Sequence, residues 1–70
     1  MVLSQMKAGD SLYIIGIKDN PNKKRLIEMG FMKGKEIEMV ENSFLYPIVV
    51  KLDESRYTID KKLSNYIMVE

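Results

Sequence analysis

The chain contains no cysteine, no histidine and no tryptophan among its 70 residues. The missing thiol and imidazole groups exclude disulfide bonds, the usual zinc sites and Ser-His-Asp or Cys-His catalytic arrangements. The charges nearly balance, with 11 Lys and Arg against 10 Asp and Glu for a net charge of +1. No field of the whole molecule therefore attracts nucleic acid or an anionic membrane. This composition predicts a non-catalytic binding or regulatory domain.

A basic leader and long apolar runs are missing as well. The chain turns polar within its first four residues and shows no basic region ahead of an apolar stretch, so we expect no signal peptide. The longest apolar runs, Leu12–Ile17 and Phe44–Val50, are far shorter than the ~20 residues that cross a bilayer. We therefore expect a cytoplasmic protein, and the absence of cysteine is compatible with a reducing compartment.

Glycine and proline divide the chain into short pieces, which predicts one small all-β domain over residues 1–70. Alternating or β-branched segments predict strands at Ser11–Ile15 (with a bulge or bend at Gly16 before Ile17), Glu36–Glu41, Pro47–Asp53, Arg56–Asp60 and Tyr66–Val69. Gly9 and Gly34 mark turns ahead of the first two strands, and Lys61–Asn65 has room for one helical turn. About five strands with one inserted helix predict a small barrel, since closure removes the exposed edges of an open sheet. The predicted core consists of Leu12, Ile14, Ile17, Leu26, Met29, Ile37, Met39, Ile48, Val50, Leu52, Ile59, Ile67 and Val69.

The segment Pro21–Met29 is the one clear helix signal. Asn20 is the predicted N-cap, and a proline at the first helical position loses nothing by lacking an N–H. Gly30 is predicted to end the helix in the left-handed conformation, with an apolar contact between Leu26 and Phe31 as in a Schellman motif. The sequence therefore predicts a helix stop followed by a chain reversal.

A basic cluster formed by Lys23, Lys24 and Arg25 falls in the first turn of this helix, where the macrodipole disfavours cations. Cations are unfavourable at this end of a helix and the sequence shows no compensating group, which suggests that they contact an acidic partner surface or a phosphate. The alternative is that these long side chains extend over apolar surface into water. Lys33, Lys35, Lys61 and Lys62 could extend the cluster, but the sequence does not place them together.

Three large apolar side chains follow one another in the predicted loop Phe44–Tyr46. Either this loop folds over an open end of the barrel, or it is a contact patch for a partner, as exposed apolar clusters often are. The candidate partner-binding residues are therefore Lys23, Lys24, Arg25, Leu26, Met29, Phe31, Phe44 and Tyr46.

Carboxylates are the only side chains left that could hold a cation, and the candidates are Glu36, Glu38, Asp53, Glu54 and Asp60. No calcium-loop spacing is present, and the first two lie on the polar face of a half-buried strand, so a solvated face is the favoured interpretation. We expect no metal ligands, no cofactor and no tight Fe²⁺ site, since carboxylates alone suit harder and weaker cation binding.

The order of these motifs resembles the FeoA family, the small cytoplasmic proteins of bacterial ferrous iron uptake. The resemblance extends from Leu3 to Val69 and is carried by Met6–Asp10, Arg25–Gly34 and Tyr46–Ile48. The Arg-Leu-x-x-x-Gly-x-x-x-Gly run of the family is matched at Arg25, Leu26, Gly30 and Gly34. Two positions depart from the pattern, because Tyr46 stands where an acidic residue is common and Lys33 stands where proline is common. If the position of Tyr46 contacts the partner, that contact differs in this chain.

The resemblance implies an SH3-like β-barrel without catalytic activity. It also implies a partner, the membrane transporter FeoB, which carries a cytoplasmic GTP-hydrolysing domain. A related domain occurs in metal-dependent repressors of the diphtheria toxin repressor type, but this chain lacks their DNA-binding helices, which favours the stand-alone form. The alternative function is a small nucleic-acid-binding or repressor-related barrel. The net charge of +1 and the few free aromatic side chains make that alternative weaker.

Overall fold

The computed structural model describes residues 1–70 as five antiparallel strands with three short helical segments. In chain order these are a 3₁₀ helix at Leu3–Gln5, β1 at Ser11–Ile17, α1 at Lys23–Met29, β2 at Glu36–Glu41, β3 at Ile48–Leu52, β4 at Ser55–Ile59, α2 at Lys61–Ser64 and β5 at Ile67–Val69. The predicted all-β fold, with one helix inserted after the first strand and one helical turn before the last, is confirmed.

The strands lie in the order β4-β3-β2-β1-β5, so β1 pairs with β2 through one part of its length and with β5 through another. The pairing of β1 with β5 shifts register between Ile14 and Gly16. Such a bulge bends a strand and increases its twist, and here it lets one strand serve both parts of a curled sheet. The irregularity lies directly before Gly16, where the sequence predicts a bulge or bend, and the first strand continues through it to Ile17.

Strand pairing does not close the barrel, because β4 and β5 stand at the two ends of the order. Helix α1 lies in the gap between them and leaves a cleft on either side. It lines one cleft together with β4 and α2, and a second cleft together with β1 and β5. The Tyr57 hydroxyl on β4 donates to the Met29 carbonyl at 3.2 Å, and its ring meets the Phe31 ring edge-on with centroids 5.3 Å apart. The predicted barrel is therefore completed by the packing of α1 rather than by pairing of β4 with β5.

The core lies between the curled sheet and α1, and its side chains are the apolar ones that alternate along the strands, as the sequence predicts. Two predicted members, Leu12 and Met29, are only partly buried. Three others join the core instead: Leu3, Met6 and Phe31. The first two come from the 3₁₀ segment, where residues three apart lie on the same side.

The N-terminal segment is fastened by Asn42, which follows β2. Its side-chain amide donates to the carbonyl of Ser4 at 3.0 Å and to the carbonyl of Met6 at 2.7 Å. Ahead of these residues in the chain, Val2 forms an antiparallel β-bridge with Met68 on β5. The outer edge of β5 is therefore partly covered by the chain's own N-terminal residues.

Helix α1 begins two residues later than predicted. Asn20 is not its N-cap: the side-chain oxygen of Asn20 accepts from the backbone N–H of Asn22 at 2.8 Å, which is an Asx turn that holds Pro21 outside the helix. Asn22 occupies the N-cap position and makes no side-chain cap bond. The predicted N-cap is wrong because the asparagine side chain stabilises a turn ahead of the helix rather than the helix itself.

The end of α1 follows the prediction. Gly30 has a φ of 109°, a conformation that is costly for residues with a Cβ. The N–H of Phe31 donates to the carbonyl of Leu26 at 3.0 Å, and the N–H of Gly30 donates to the carbonyl of Ile27 at 2.9 Å. These two bonds are those of a Schellman motif, which turns the chain toward β2.

Candidate interaction surface

The basic cluster of α1 has no acidic partner within the chain. Lys24 and Arg25 are exposed and Lys23 is half-buried. The single ion pair of the structure joins Lys35 to Asp53 at 3.1 Å, away from this helix. None of the three cations of the helix forms an ion pair, and they lie near its N-terminal end, where the peptide dipoles oppose them.

The loop Phe44–Tyr46 points into solvent. Phe44, Leu45 and Tyr46 are 92%, 76% and 64% exposed. The Lys61 ammonium lies 5.9 Å from the centroid of the Phe44 ring, within the range of a cation–π contact. Of the two alternatives for this loop, folding over the barrel end is wrong because these side chains are largely in water. An exposed patch of this kind is typical of a contact surface.

Two neighbouring clefts connect the loop with α1. The first, of 240 Å³, lies between α1 and the β4–α2 corner, and Arg25 and Met29 line it. The second, of 350 Å³, lies beneath the loop and is lined by Phe44, Tyr46 and Lys61, among others. Thr58 and Asp60 line both clefts. The clefts therefore form one continuous surface, the Thr58 face, consisting of Arg25, Met29, Phe44, Tyr46, Thr58, Asp60 and Lys61.

The size of the clefts on the Thr58 face favours a macromolecular contact. The volume of 240 Å³ lies below the ~300–1,000 Å³ that is usual for small-molecule sites, and the volume of 350 Å³ lies near the lower end of that range. The exposed groups beside them include an arginine and a tyrosine, residue types that are enriched at protein–protein interfaces. The face can accept side chains of a partner more readily than it can enclose a substrate.

The other candidate residues are buried or lie elsewhere. Leu26 lines the first cleft but is only 2% exposed, and Phe31 is 0% exposed, so both act mainly in the core. Lys23 lines a separate cleft on the opposite side of α1, together with Lys33. Lys24 lines no cleft and is solvent-exposed. The structure thus brings together five of the predicted residues around the two clefts: Arg25, Leu26, Met29, Phe44 and Tyr46.

The acidic side chains of β2 lie on a different face. Glu36 and Glu38 line a shallow cleft with Asp53, but Lys51 is interposed as the register partner of Glu38. Asp53 is also paired with Lys35. No group of three or more His, Cys, Asp or Glu side chains in the chain is arranged to hold a metal ion. The cations among these carboxylates make the face a mixed-charge strand surface.

Thr58 and Asp60, which line both clefts, are not among the predicted partner-binding residues. A signal for Asp60 is present, since its side chain accepts from the Lys62 N–H at 2.8 Å and caps α2. An aspartate ahead of a short helical run is a recognisable N-cap. Thr58 carries no comparable signal, because its role follows from its place on the last strand of the sheet order.

Comparison with known proteins gives a consistent assignment. The sequence model of the FeoA domain family matches residues 1–70. A solved iron uptake regulatory protein, FeoA, is 29% identical with a TM-score of 0.87, over 97% of this chain and 90% of that one. FeoA of Stenotrophomonas maltophilia in complex with zinc is 26% identical with a TM-score of 0.89, over 100% and 89% of the two chains. It is described as a prokaryotic SH3 domain protein and a candidate activating factor of ferrous iron transport.

The iron(II) transport protein A of Clostridium thermocellum is 33% identical with a TM-score of 0.90, over 100% of this chain and 44% of that one. This chain therefore spans less than half the length of that protein. No curated protein matches the chain, and no helix of the structure is long and apolar enough to cross a membrane. The likeness to FeoA structures confirms the predicted SH3-like barrel.

Proposed function

The chain belongs to the FeoA domain family, and we propose that it is a non-catalytic accessory protein of ferrous iron uptake. In this proposal it acts in the cytoplasm and docks on the cytoplasmic GTP-hydrolysing portion of the membrane transporter FeoB. The family match over the whole chain and the similarity to proteins described as regulators or activators of iron uptake support the role in transport. The lack of histidine and cysteine supports action by contact rather than by chemistry on the iron.

The continuity of the Thr58 face is the observation that carries the docking proposal. Aromatic and arginine side chains dominate the binding energy of most interfaces when they enter well-packed, desolvated positions. Here Phe44 and Tyr46 stand largely in water, and Arg25 stands without an ion-pair partner. Burial of the two rings against a partner removes apolar surface from solvent, and an acidic group opposite Arg25 completes a charge-assisted hydrogen bond.

Titration against the transporter tests this function directly. Wild-type protein is added to full-length FeoB in nanodiscs and, separately, to the soluble GTPase portion, and binding is measured by calorimetry or interferometry. We expect saturable binding, which Phe44→Ser, Tyr46→Ser and Arg25→Glu each weaken by about tenfold or more, as for central interface residues. All three side chains are exposed, so these variants should keep the stability of the wild type.

Matched control variants distinguish binding through the Thr58 face from non-specific association. Tyr13 is 55% exposed on β1 and lines neither cleft of the Thr58 face, so Tyr13→Ser serves as the control for Tyr46→Ser. Lys7→Glu serves as the control for the charge reversal at Arg25, since Lys7 is exposed and lies outside the face. Equal losses from the control and test variants would locate the contact elsewhere. No binding at tens of micromolar in either format would count decisively against the docking function.

A further inference from the structure

The outer edge of β4 is free. Strand β4 stands at one end of the sheet order and pairs with β3 alone. The hairpin between them has a two-residue loop that closes on the pair Leu52 and Ser55. In a hairpin of this kind the closing pair is hydrogen-bonded and bonded pairs alternate along the strands, so the backbone groups of Arg56 and Thr58 point away from β3. Neither residue forms any other backbone hydrogen bond.

The free edge lies beside the first cleft of the Thr58 face. Thr58 and Ile59 form one wall of this cleft, and Leu26, Met29 and Leu63 contribute apolar groups to its lining. An edge strand with open hydrogen-bonding groups next to an apolar groove provides two of the elements used to bind an extended peptide. Main-chain pairing supplies affinity in such sites, and pockets for alternate side chains supply specificity.

The charges at the edge favour an acidic ligand. Arg56 lies directly across from Lys51 on β3, and like charges in that position repel each other. The only opposite charge in the register is Glu38, which pairs with Lys51 from the far side. On the other wall of the cleft, Arg25 forms no ion pair, although the Asp60 carboxylate lines the same cleft. A ligand that carries a carboxylate at this edge would relieve the repulsion at Arg56 and complement Arg25.

We infer that the β4 edge receives an extended segment of the partner as a sixth, added strand, with an apolar side chain in the α1–β4 cleft and a carboxylate next to Arg56. The inference rests on the proposed docking function and specifies its mode. Arg56 and Thr58 are two residues apart, so their open groups span about 7 Å along the strand. A segment of three to five residues is enough to pair with both. Its successive side chains point to opposite faces of the sheet, which places the apolar group toward the cleft and the acidic group toward Arg56.

Proline substitution tests the added strand. The probe is full-length FeoB in nanodiscs, titrated with Thr58→Pro and with its matched control Thr58→Ala. The Thr58 N–H does not donate to β3, so proline removes an outward donor at an edge position where it is tolerated. We expect Thr58→Pro to bind at least tenfold more weakly than Thr58→Ala, since both variants lose the threonine side chain and only proline also loses the N–H. Equal binding by both variants would overturn the added strand while leaving the docking function intact.

Charge reversal at the edge gives a second, independent readout. Arg56→Glu places opposite charges across from each other at Lys51, so the free protein should melt a few degrees higher while its binding to the transporter falls about tenfold. Unchanged binding, or a loss that follows a loss of stability, would contradict the inference. Lack of binding by the wild-type protein would overturn the docking function and the added strand together, a pattern distinct from selective loss in the variants.

Amide exchange on the wild-type protein avoids any question of misfolded variants. In ¹⁵N-labelled protein, the Arg56 and Thr58 amides face solvent and should exchange rapidly when free. Addition of the transporter should protect both of them, whereas Tyr57, whose amide points to β3, should change little. Protection confined to other surfaces would exclude strand addition. Protection of the two amides in concentrated protein without the transporter would instead identify a second copy of the chain as the occupant and overturn the inference.

Discussion

Asn42 provides a quantitative test of how the N-terminal segment is held. Its amide nitrogen donates two hydrogen bonds, to the carbonyls of Ser4 and Met6 at 3.0 and 2.7 Å. The segment contributes Leu3 and Met6 to the core, where they are 0% and 1% exposed. Asn42→Ala removes both donors and leaves two carbonyls of a partly buried turn without a protein partner.

The expected loss of stability follows from the two bonds. Each hydrogen bond contributes about 0.5–1.5 kcal/mol net, so Asn42→Ala should lower the free energy of unfolding by about 2 kcal/mol. For a domain of this size each kcal/mol corresponds to about 4–8 °C in Tm, which gives a decrease of roughly 8–16 °C. Asn42→Asp should be worse than alanine at neutral pH, since it directs a negative charge at the same two carbonyl oxygens.

Thermal and urea unfolding followed by far-ultraviolet circular dichroism measure this change. Asn22→Ala is the matched control, because its side chain is exposed and makes no cap bond, so its effect should stay within about 0.5 kcal/mol. An Asn42→Ala variant that unfolds like Asn22→Ala would refute the reasoning. It would mean that apolar burial alone fastens the segment and that water replaces the amide at no cost.

Three further changes test other parts of the structure. Gly30→Ala should cost about 1–2 kcal/mol, because a Cβ is disfavoured at a φ of 109°, and Gly30→Asn should cost less; equal stability of all three proteins would contradict the Schellman geometry. Tyr57→Phe should cost about 0.5–1.5 kcal/mol through loss of the hydroxyl bond to α1, with ring packing retained; a loss of more than twice that would show that the ring itself has moved. Calorimetric titration with Fe²⁺ should show no saturable site tighter than about a micromolar, as expected without histidine or cysteine ligands; tight binding abolished by Glu36→Gln or Glu38→Gln would overturn that expectation.

The parts of the fold that follow from short-range rules were predictable. The alternation of Ile37 and Met39 with charged neighbours specified which face of β2 is buried, because side chains of a strand point alternately to its two sides. The end of α1 was predictable from Gly30 with Leu26 and Phe31, since the Schellman motif is defined by residues within one turn. In both cases the signal and its structural consequence lie within a few residues of each other.

The parts that depend on distant contacts were not predictable. The bonds of Asn42 to the N-terminal segment span 38 and 36 residues, and nothing local marks that asparagine as an anchor. The start of α1 was misplaced because Asn20 can cap a helix or close an Asx turn, and the short-range pattern is the same for both. For the Thr58 face, the sequence indicated Arg25 and the exposed loop separately. Only the folding of β4 between them brings the two into one surface.

Because the chain forms only one ion pair, added salt should affect the stability of the fold and its association with a partner differently. The single pair, Lys35 with Asp53, is 39% and 63% exposed on its two side chains, and exposed pairs contribute little. Added salt screens exposed charges, with a Debye length of about 10 Å at 0.1 M. Because this pair contributes little, salt should hardly change the melting temperature of the free domain. Association through Arg25 and Arg56 should weaken under the same conditions. In the proposed complex, a salt series should therefore detach the partner while leaving the barrel folded.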